Sequence, residues 1–364
     1  MTGHIFTERM KAIHQQLKEK RVDCLVVTKA ANVTYTTGFL GEDSWAVITA
    51  RAVYLVTDSR YTEQAQTECM GCRIVQRANY SPIAEATAKL VTRQRSARTI
   101  AIEKSTSLTD FDILRKHIKS RLKTVAGIIE SSRSIKDSDE VAAIRSAASI
   151  AAKALKIIGG RIKPGMNESE LAGMLDLEIR KVGATSSFDT IVAFGPNASR
   201  PHHKPTTRKL KQTDTILIDF GARYRGYCCD ITRCLTIGRT TKFYRKVYAV
   251  VEQAQAAAIK TVKAGVDMIK VDAAAREAIR RHDLPVYDHG TGHGLGLEIH
   301  ELPFIRAQGK GKLQAGQVIT IEPGIYMPGK LGVRIEDDVL VTETGCEILT
   351  RDCPHDPSLL RQQR

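Results

Sequence analysis

The chain lacks any run approaching ~20 consecutive apolar residues, so no segment of it reads as a membrane span. Its N-terminus, Met1-Thr2-Gly3-His4 followed by a charged helical segment, lacks the apolar stretch of a secretory leader, which points to a cytoplasmic location. No low-complexity tract and no short repeat is present. Cys69-x-x-Cys72 has no second Cys or His pair at zinc-ribbon spacing, which argues against a structural zinc site. Without an export signal the eight cysteines read as reduced thiols and not as a disulfide framework. Acidic residues are in deficit, and the net charge is +15. The basic clusters at 93–98 (RQRSAR) and 115–123 (RKHIKSRLK) stand in helical segments with no recognition module around them. They read as a solvated basic surface, with no nucleic-acid partner expected.

What is present is a composition that is 42% hydrophobic and 26% charged over 364 residues, enough for two packed domains. Residues 1–130 alternate helix and strand signals: amphipathic spacing over 7–20, β-rich runs at 23–28, 45–49 and 53–57, then a continuing alternation through 83–94, 99–103 and 110–120. That alternation predicts an α/β N-terminal domain. The polar stretch 131–139 (SSRSIKDSD) reads as a linker. Beyond it, 140–364 opens with an Ala-rich helix over 141–158 stopped by Gly159-Gly160, and a second over 168–181 capped by Asn167. Strands dominate from Phe188 onward, interrupted by helices near 242–264 and 270–281, which predicts an α+β C-terminal domain.

Four carboxylates in that second domain are paired along the chain. Asp219 ends the apolar run Thr215-Ile216-Leu217-Ile218, and Asp230 follows eleven residues later. A hairpin with its tip at Tyr224-Arg225 would set the two directly opposite, on one face. Glu322 and Glu336 are arranged likewise about Pro328-Gly329-Lys330, a turn with Gly at its centre. Like charges facing each other at the ends of buried strands are costly unless a cation meets them. Two divalent cations would remove the repulsion and give the arrangement a purpose. With hard oxygen ligands in hand, Cys228, Cys229 and Cys234 around Asp230 are expected as wall residues of the site, not as ligands.

The motifs LIDFGARYRGYCCDITR (217–233), HGTGHGLGLEIHE (289–301), ITIEPGIY (319–326) and GVRIEDDVLV (332–341) resemble those of the pita-bread metallopeptidases. In the first domain, NVTYTTGF (32–39) and TDSRYTEQA (57–65) resemble the creatinase-like auxiliary domain of the aminopeptidase P and prolidase branch. The resemblance covers nearly the whole chain. It implies a creatinase-like domain followed by a pita-bread catalytic domain, and a metal set of Asp219, Asp230, His293, Glu322 and Glu336. His293 enters by resemblance alone. So do Asp230 and Glu336 as residues bridging two divalent ions, with manganese or cobalt favoured and zinc or iron also compatible.

The same resemblance implies hydrolysis of the bond between an N-terminal residue and proline, on peptides with proline second, by a homodimer. Glu322 is expected as general base, with His202 and His300 donating hydrogen bonds to the reacting carbonyl. Phe188 is a candidate wall for the proline ring, and Arg334 a cation steadying the carboxylates. Relatives of the prolidase kind carry an arginine where this chain has Phe304; the nearest arginine here is Arg306. Two alternatives accompany this reading: a dipeptidase restricted to Xaa-Pro, and a pita-bread scaffold that only binds.

Overall fold

The computed structural model describes residues 3–69, 71–94 and 96–355. Two compact units divide the chain, Met1–Arg133 and Ser134–Arg364. The first is α/β, as the alternating pattern predicts. Its strands are β1 (Cys24–Val27), β2 (Trp45–Thr49), β3 (Val53–Thr57), β4 (Cys72–Gln76), β5 (Thr99–Glu103) and β6 (Arg121–Val125). They form one sheet in the order β4-β3-β2-β1-β5-β6. β1 to β3 run antiparallel, whereas β4, β5 and β6 each join a parallel neighbour. The apolar run Cys-Leu-Val-Val of β1 is buried on both faces, as a central strand requires. The motif at 32–39 is helical, on Ala30–Thr37, and Gly38 closes that helix at φ 82°.

The stretch expected as a linker, 131–139, holds the end of helix Ile128–Ser134 and the start of helix Ser138–Gly159. Only 135–137 lie between them. The polar residues there are cap chemistry: Asp137 accepts from the Glu140 N–H, and Glu140 returns a bond to the Asp137 N–H.

The second unit packs helices against strands around two large hydrophobic cores and a smaller one of Ile144, Leu295, Val318 and Leu349. Its strands are β7 (Thr185–Ser186), β8 (Ile191–Phe194), β9 (Thr215–Phe220), β10 (Ala222–Tyr224), β11 (Tyr227–Cys228), β12 (Ile231–Thr236), β13 (Gly292–Gly294), β14 (Glu301–Ile305), β15 (Val318–Ile321), β16 (Gly324–Met327), β17 (Leu331–Arg334), β18 (Asp337–Val341) and β19 (Cys346–Ile348). Ala-rich helix Ser138–Gly159 and helix Glu168–Arg180 bury their apolar faces with Ile216, Ile218 and Phe220 of β9. Helices Lys242–Thr261 and Met268–Arg280 pack with Ile319 and Ile321 of β15 and with Leu217 and Cys234. Side chains alternate across a strand, so Asp219 shares the face of Leu217 and points away from the first core.

The register of the first carboxylate pair differs from the sequence expectation. The tip is Arg225-Gly226, with φ 50° and 84°, and not Tyr224-Arg225. Two consecutive positive φ values make a type I′ turn, which Arg-Gly accommodates because glycine carries no Cβ penalty. Tyr224 therefore stays in strand, paired with Tyr227, and Asp219 faces Thr232. Asp230 becomes the diagonal neighbour of Asp219 on the same face, which leaves a gap between the two carboxylates. For the second pair the mirror arrangement holds. β16 pairs β17 with Tyr326 facing Gly332, and β15 pairs β18 with Ile321 facing Asp337, so both ladders place Glu322 level with Glu336. Among the described residues no helix is long and apolar enough to cross a membrane.

Candidate metal centre

Three structural pieces bring the acidic groups together. β9 carries Asp219 and the residue just before β12 is Asp230, the junction of β15 and β16 carries Glu322, and the junction of β17 and β18 carries Glu336. The glycine-rich segment 289–301 brings His293 against them. Gly292 makes this possible, because a Cβ there would lie 1.8 Å from the Thr320 carbonyl oxygen. With the backbone that close, the His293 N–H donates to Thr320 Oγ1 (3.1 Å), whose hydroxyl lies 3.4 Å from Glu322 Oε1.

All nine site residues expected from sequence, Phe188, His202, Asp219, Asp230, His293, His300, Glu322, Arg334 and Glu336, line one cavity of about 390 Å³. Asp219, Asp230, His293 and Glu336 are buried. His293 Nε2 lies 3.5 Å from Glu322 Oε1 and 3.7 Å from Asp230 Oδ2. One ligand atom each from Asp230, His293 and Glu336 falls within 4.8 Å of the others. His300 stands edge-on to His293 with ring centroids 4.3 Å apart. His202 and His300 are exposed at the cavity wall, and Phe188 is half-buried there. Cys228, Cys229 and Cys234 do not line the cavity, contrary to expectation. All three are buried away from it, Cys229 in the first core and Cys234 in the second.

The electrostatics are those of too many acids in too little water. Burial, then the neighbouring carboxylates, pushes Asp230 and Glu336 well above the usual carboxyl range. Burial lifts Glu322 to about 7, against the lowering effect of Arg334. Burial and then the neighbouring His300 hold His293 down to about 4, so its imidazole is neutral and able to ligate. Asp219 Oδ1 and Asp230 Oδ1 are buried with no hydrogen-bond partner. Orphaned carboxylate oxygens facing a shared space with one neutral imidazole fit hard divalent cations.

Several groups around these residues were not singled out from sequence. Thr232, on the same strand face as Asp230, donates to Glu336 Oε2 (2.6 Å) and accepts from Arg334 Nε (3.0 Å). Tyr326 accepts from Arg334 Nη1 (2.7 Å) and lies 3.1 Å from His289 Nε2. Burial holds His289, also on the cavity wall, down to about 4. Fully buried Arg233 donates to the carbonyls of Thr232 and Glu336 and to Asp337 Oδ1, fixing the backbone beside two acids. Asp338 accepts the Asp230 N–H. The Glu168 carboxylate, also fully buried, receives the Phe194 N–H, Asn197, Thr206 and the His203 ring, and so shapes the loop that presents His202. His289 sits four residues before His293 inside a motif already noticed, whereas nothing in the spacing marks Glu168 and His203 as partners.

The profile of Metallopeptidase family M24 matches residues 142–343, and that of the Creatinase/Prolidase N-terminal domain matches 9–135. An uncharacterized peptidase of Bacillus subtilis is 36% identical over 346 residues, covering 94% of this chain and 97% of that protein. Among solved structures, an Xaa-Pro dipeptidase from Bacillus anthracis superposes with a TM-score of 0.91 at 34% identity, over 95% of this chain and 98% of that one. An X-Pro aminopeptidase from Thermotoga maritima gives 0.86 at 36% identity, over 93% and 99%.

Proposed function

The chain belongs to metallopeptidase family M24, in the branch of Xaa-Pro peptidases, and from that premise we propose that it hydrolyses the bond between an N-terminal residue and proline with two divalent ions held by Asp219, Asp230, His293, Glu322 and Glu336. The observation that carries this reading is the pair of buried, unpartnered oxygens on Asp219 and Asp230 inside a cavity that already holds the other three groups. Two ions bound there would supply Lewis acidity and lower the pKa of water toward neutrality. An oxygen-rich donor set with one imidazole accommodates manganese, cobalt, iron or zinc alike, and the family resemblance favours manganese or cobalt.

The chain's own side chains then have distinct tasks. Glu322, its Oε1 3.5 Å from His293 Nε2, accepts the proton of the attacking water. His202 and His300, on the open wall, donate to the carbonyl oxygen as it gains charge. An Xaa-Pro amide has no N–H, so the wall formed by Phe188 and Ile191 need offer no acceptor to it. Arg334 donates to Asp219 Oδ2 (2.6 Å) and leaves Oδ1 free to ligate.

A dipeptidase reading has its own support in the Bacillus anthracis neighbour and in Arg306. That guanidinium lines the same cavity, 5.6 Å over the Phe304 ring, where a substrate's terminal carboxylate could meet it. All eight cysteines are free thiols, which suits a cytoplasmic setting, and a homodimer is the assembly we expect. The deciding experiment is activity on an Xaa-Pro peptide series after chelation and metal add-back. Restored cleavage before proline supports the proposal, and unchanged activity after complete chelation contradicts it. Faster turnover of Xaa-Pro dipeptides than of Xaa-Pro-Xaa tripeptides would select the dipeptidase.

A further inference from the structure

We propose that Lys136 is a positioning residue that aims His300 through Glu301; this rests on the reading that His300 donates to the reacting carbonyl. The Lys136 side chain is fully buried, and its ammonium lies 2.8 Å from Glu301 Oε1, on a carboxylate that is itself 6% exposed. Both ends of the contact are held by backbone. Lys136 N–H donates to the Gly316 carbonyl (2.8 Å), and the next residue caps the helix that begins at Ser138. Across β13 and β14, Glu301 pairs with Gly294. Its carboxylate fills the space a Cβ on Gly296 would need, 2.7 Å from Oε1. The lysine therefore reaches into the base of the loop whose two ends carry His293 and His300.

His300 needs such support. Its side chain is exposed, and among the described residues it is steadied by the edge contact with His293 and by no hydrogen bond to its ring. The direction of the imidazole follows from its backbone, one Cα–Cα step of about 3.8 Å from the anchored Glu301. A buried ion pair is poor evidence of net stabilisation, since an apolar pair of similar volume often does as well. What it does supply is a directional, charge-assisted bond at one place. A displacement of about 1 Å in a group that must meet a transition state costs on the order of 10²-fold in rate.

The test compares Lys136→Met in two backgrounds, the native chain and His300→Ala, on an Xaa-Pro-Xaa tripeptide with bound metal measured in parallel. In the native background we expect kcat to fall by about 10²-fold, with KM and metal content retained. In the His300→Ala background the same change should cost almost nothing, because the group being aimed is gone. An equal loss in both backgrounds, native kcat in Lys136→Met, or loss of bound metal would overturn the inference. Full activity of His300→Ala alone would instead overturn the underlying reading of His300. If Lys136→Met does not fold, Lys136→Gln with Glu301→Gln leaves no lone buried charge and serves for the same comparison, with the same outcomes deciding.

Discussion

Arg334 Nη2 lies 2.6 Å from Asp219 Oδ2, while Oδ1 of the same carboxylate is buried without a partner. The guanidinium neutralises and orients one oxygen and leaves the other without a partner. Its remaining nitrogens hold Tyr326 and Thr232, and Thr232 in turn donates to Glu336, so one cation organises two acids on different strand pairs.

Arg334→Met should therefore weaken metal binding more than it weakens the fold. A loss of 10–100-fold in affinity for divalent ions is expected, as for other partners of metal ligands. Calorimetric titration of the metal-free variant with Mn²⁺ checks it, and native affinity would remove Arg334 from this role.

The elevated Glu322 carboxyl makes stability depend on pH in a defined direction. Its pKa is about 7 in the folded chain against 4.5 ordinarily, so between those values the folded state holds more protons than the unfolded one. Its contribution to the stability of metal-free protein is then present below about 4.5 and is lost as pH rises through 7. Glu322→Gln removes that dependence. The stability of the metal-free native chain relative to this variant, followed by urea melts from pH 4.5 to 7.5, should fall with rising pH. A difference independent of pH would contradict the environment described for Glu322.

His202→Ala should lower kcat by about 10²–10³-fold while leaving metal content unchanged, if the ring donates to the developing oxyanion. Steady-state kinetics on an Xaa-Pro peptide decide it; a change confined to KM would make His202 a ground-state contact only.

The relation between sequence and structure can be judged at particular residues. Glu322 and Glu336 are legible because two successive ladders share one register about Gly329, so counting outward from the glycine finds both. Asp219 and Asp230 are legible as a pair but not in register. Counting alone cannot choose between Tyr224-Arg225 and Arg225-Gly226 as the tip, and the choice depends on which residues tolerate positive φ. His293 is invisible to strand arithmetic. Its position is set by the approach of Gly292 to the Thr320 carbonyl, a contact between segments 28 residues apart in the chain. Lys136 falls in the stretch read as a linker and Glu168 at the start of a predicted helix, and only the folded chain shows that Lys136 reaches Glu301 and Glu168 reaches His203.

Two glycines follow from the same contacts. Gly226→Ala places a Cβ at φ 84° and should cost ~1–2 kcal/mol by urea unfolding, with metal binding retained if the hairpin re-forms. Gly292→Ala should be much worse, because backbone and not a flexible side chain blocks the new atom. We expect little soluble protein, or soluble protein deficient in metal. A Gly292→Ala chain with native metal content would show that His293 is not held in the way described.

The central assignment is two ions bound by five side chains, and metal stoichiometry measures it directly. Protein stripped by chelation, re-loaded with Mn²⁺ and freed of excess should hold two ions per chain by elemental analysis, and fewer in Asp230→Asn and Glu336→Gln. One ion or none in the native chain, or two retained in both variants, would contradict it.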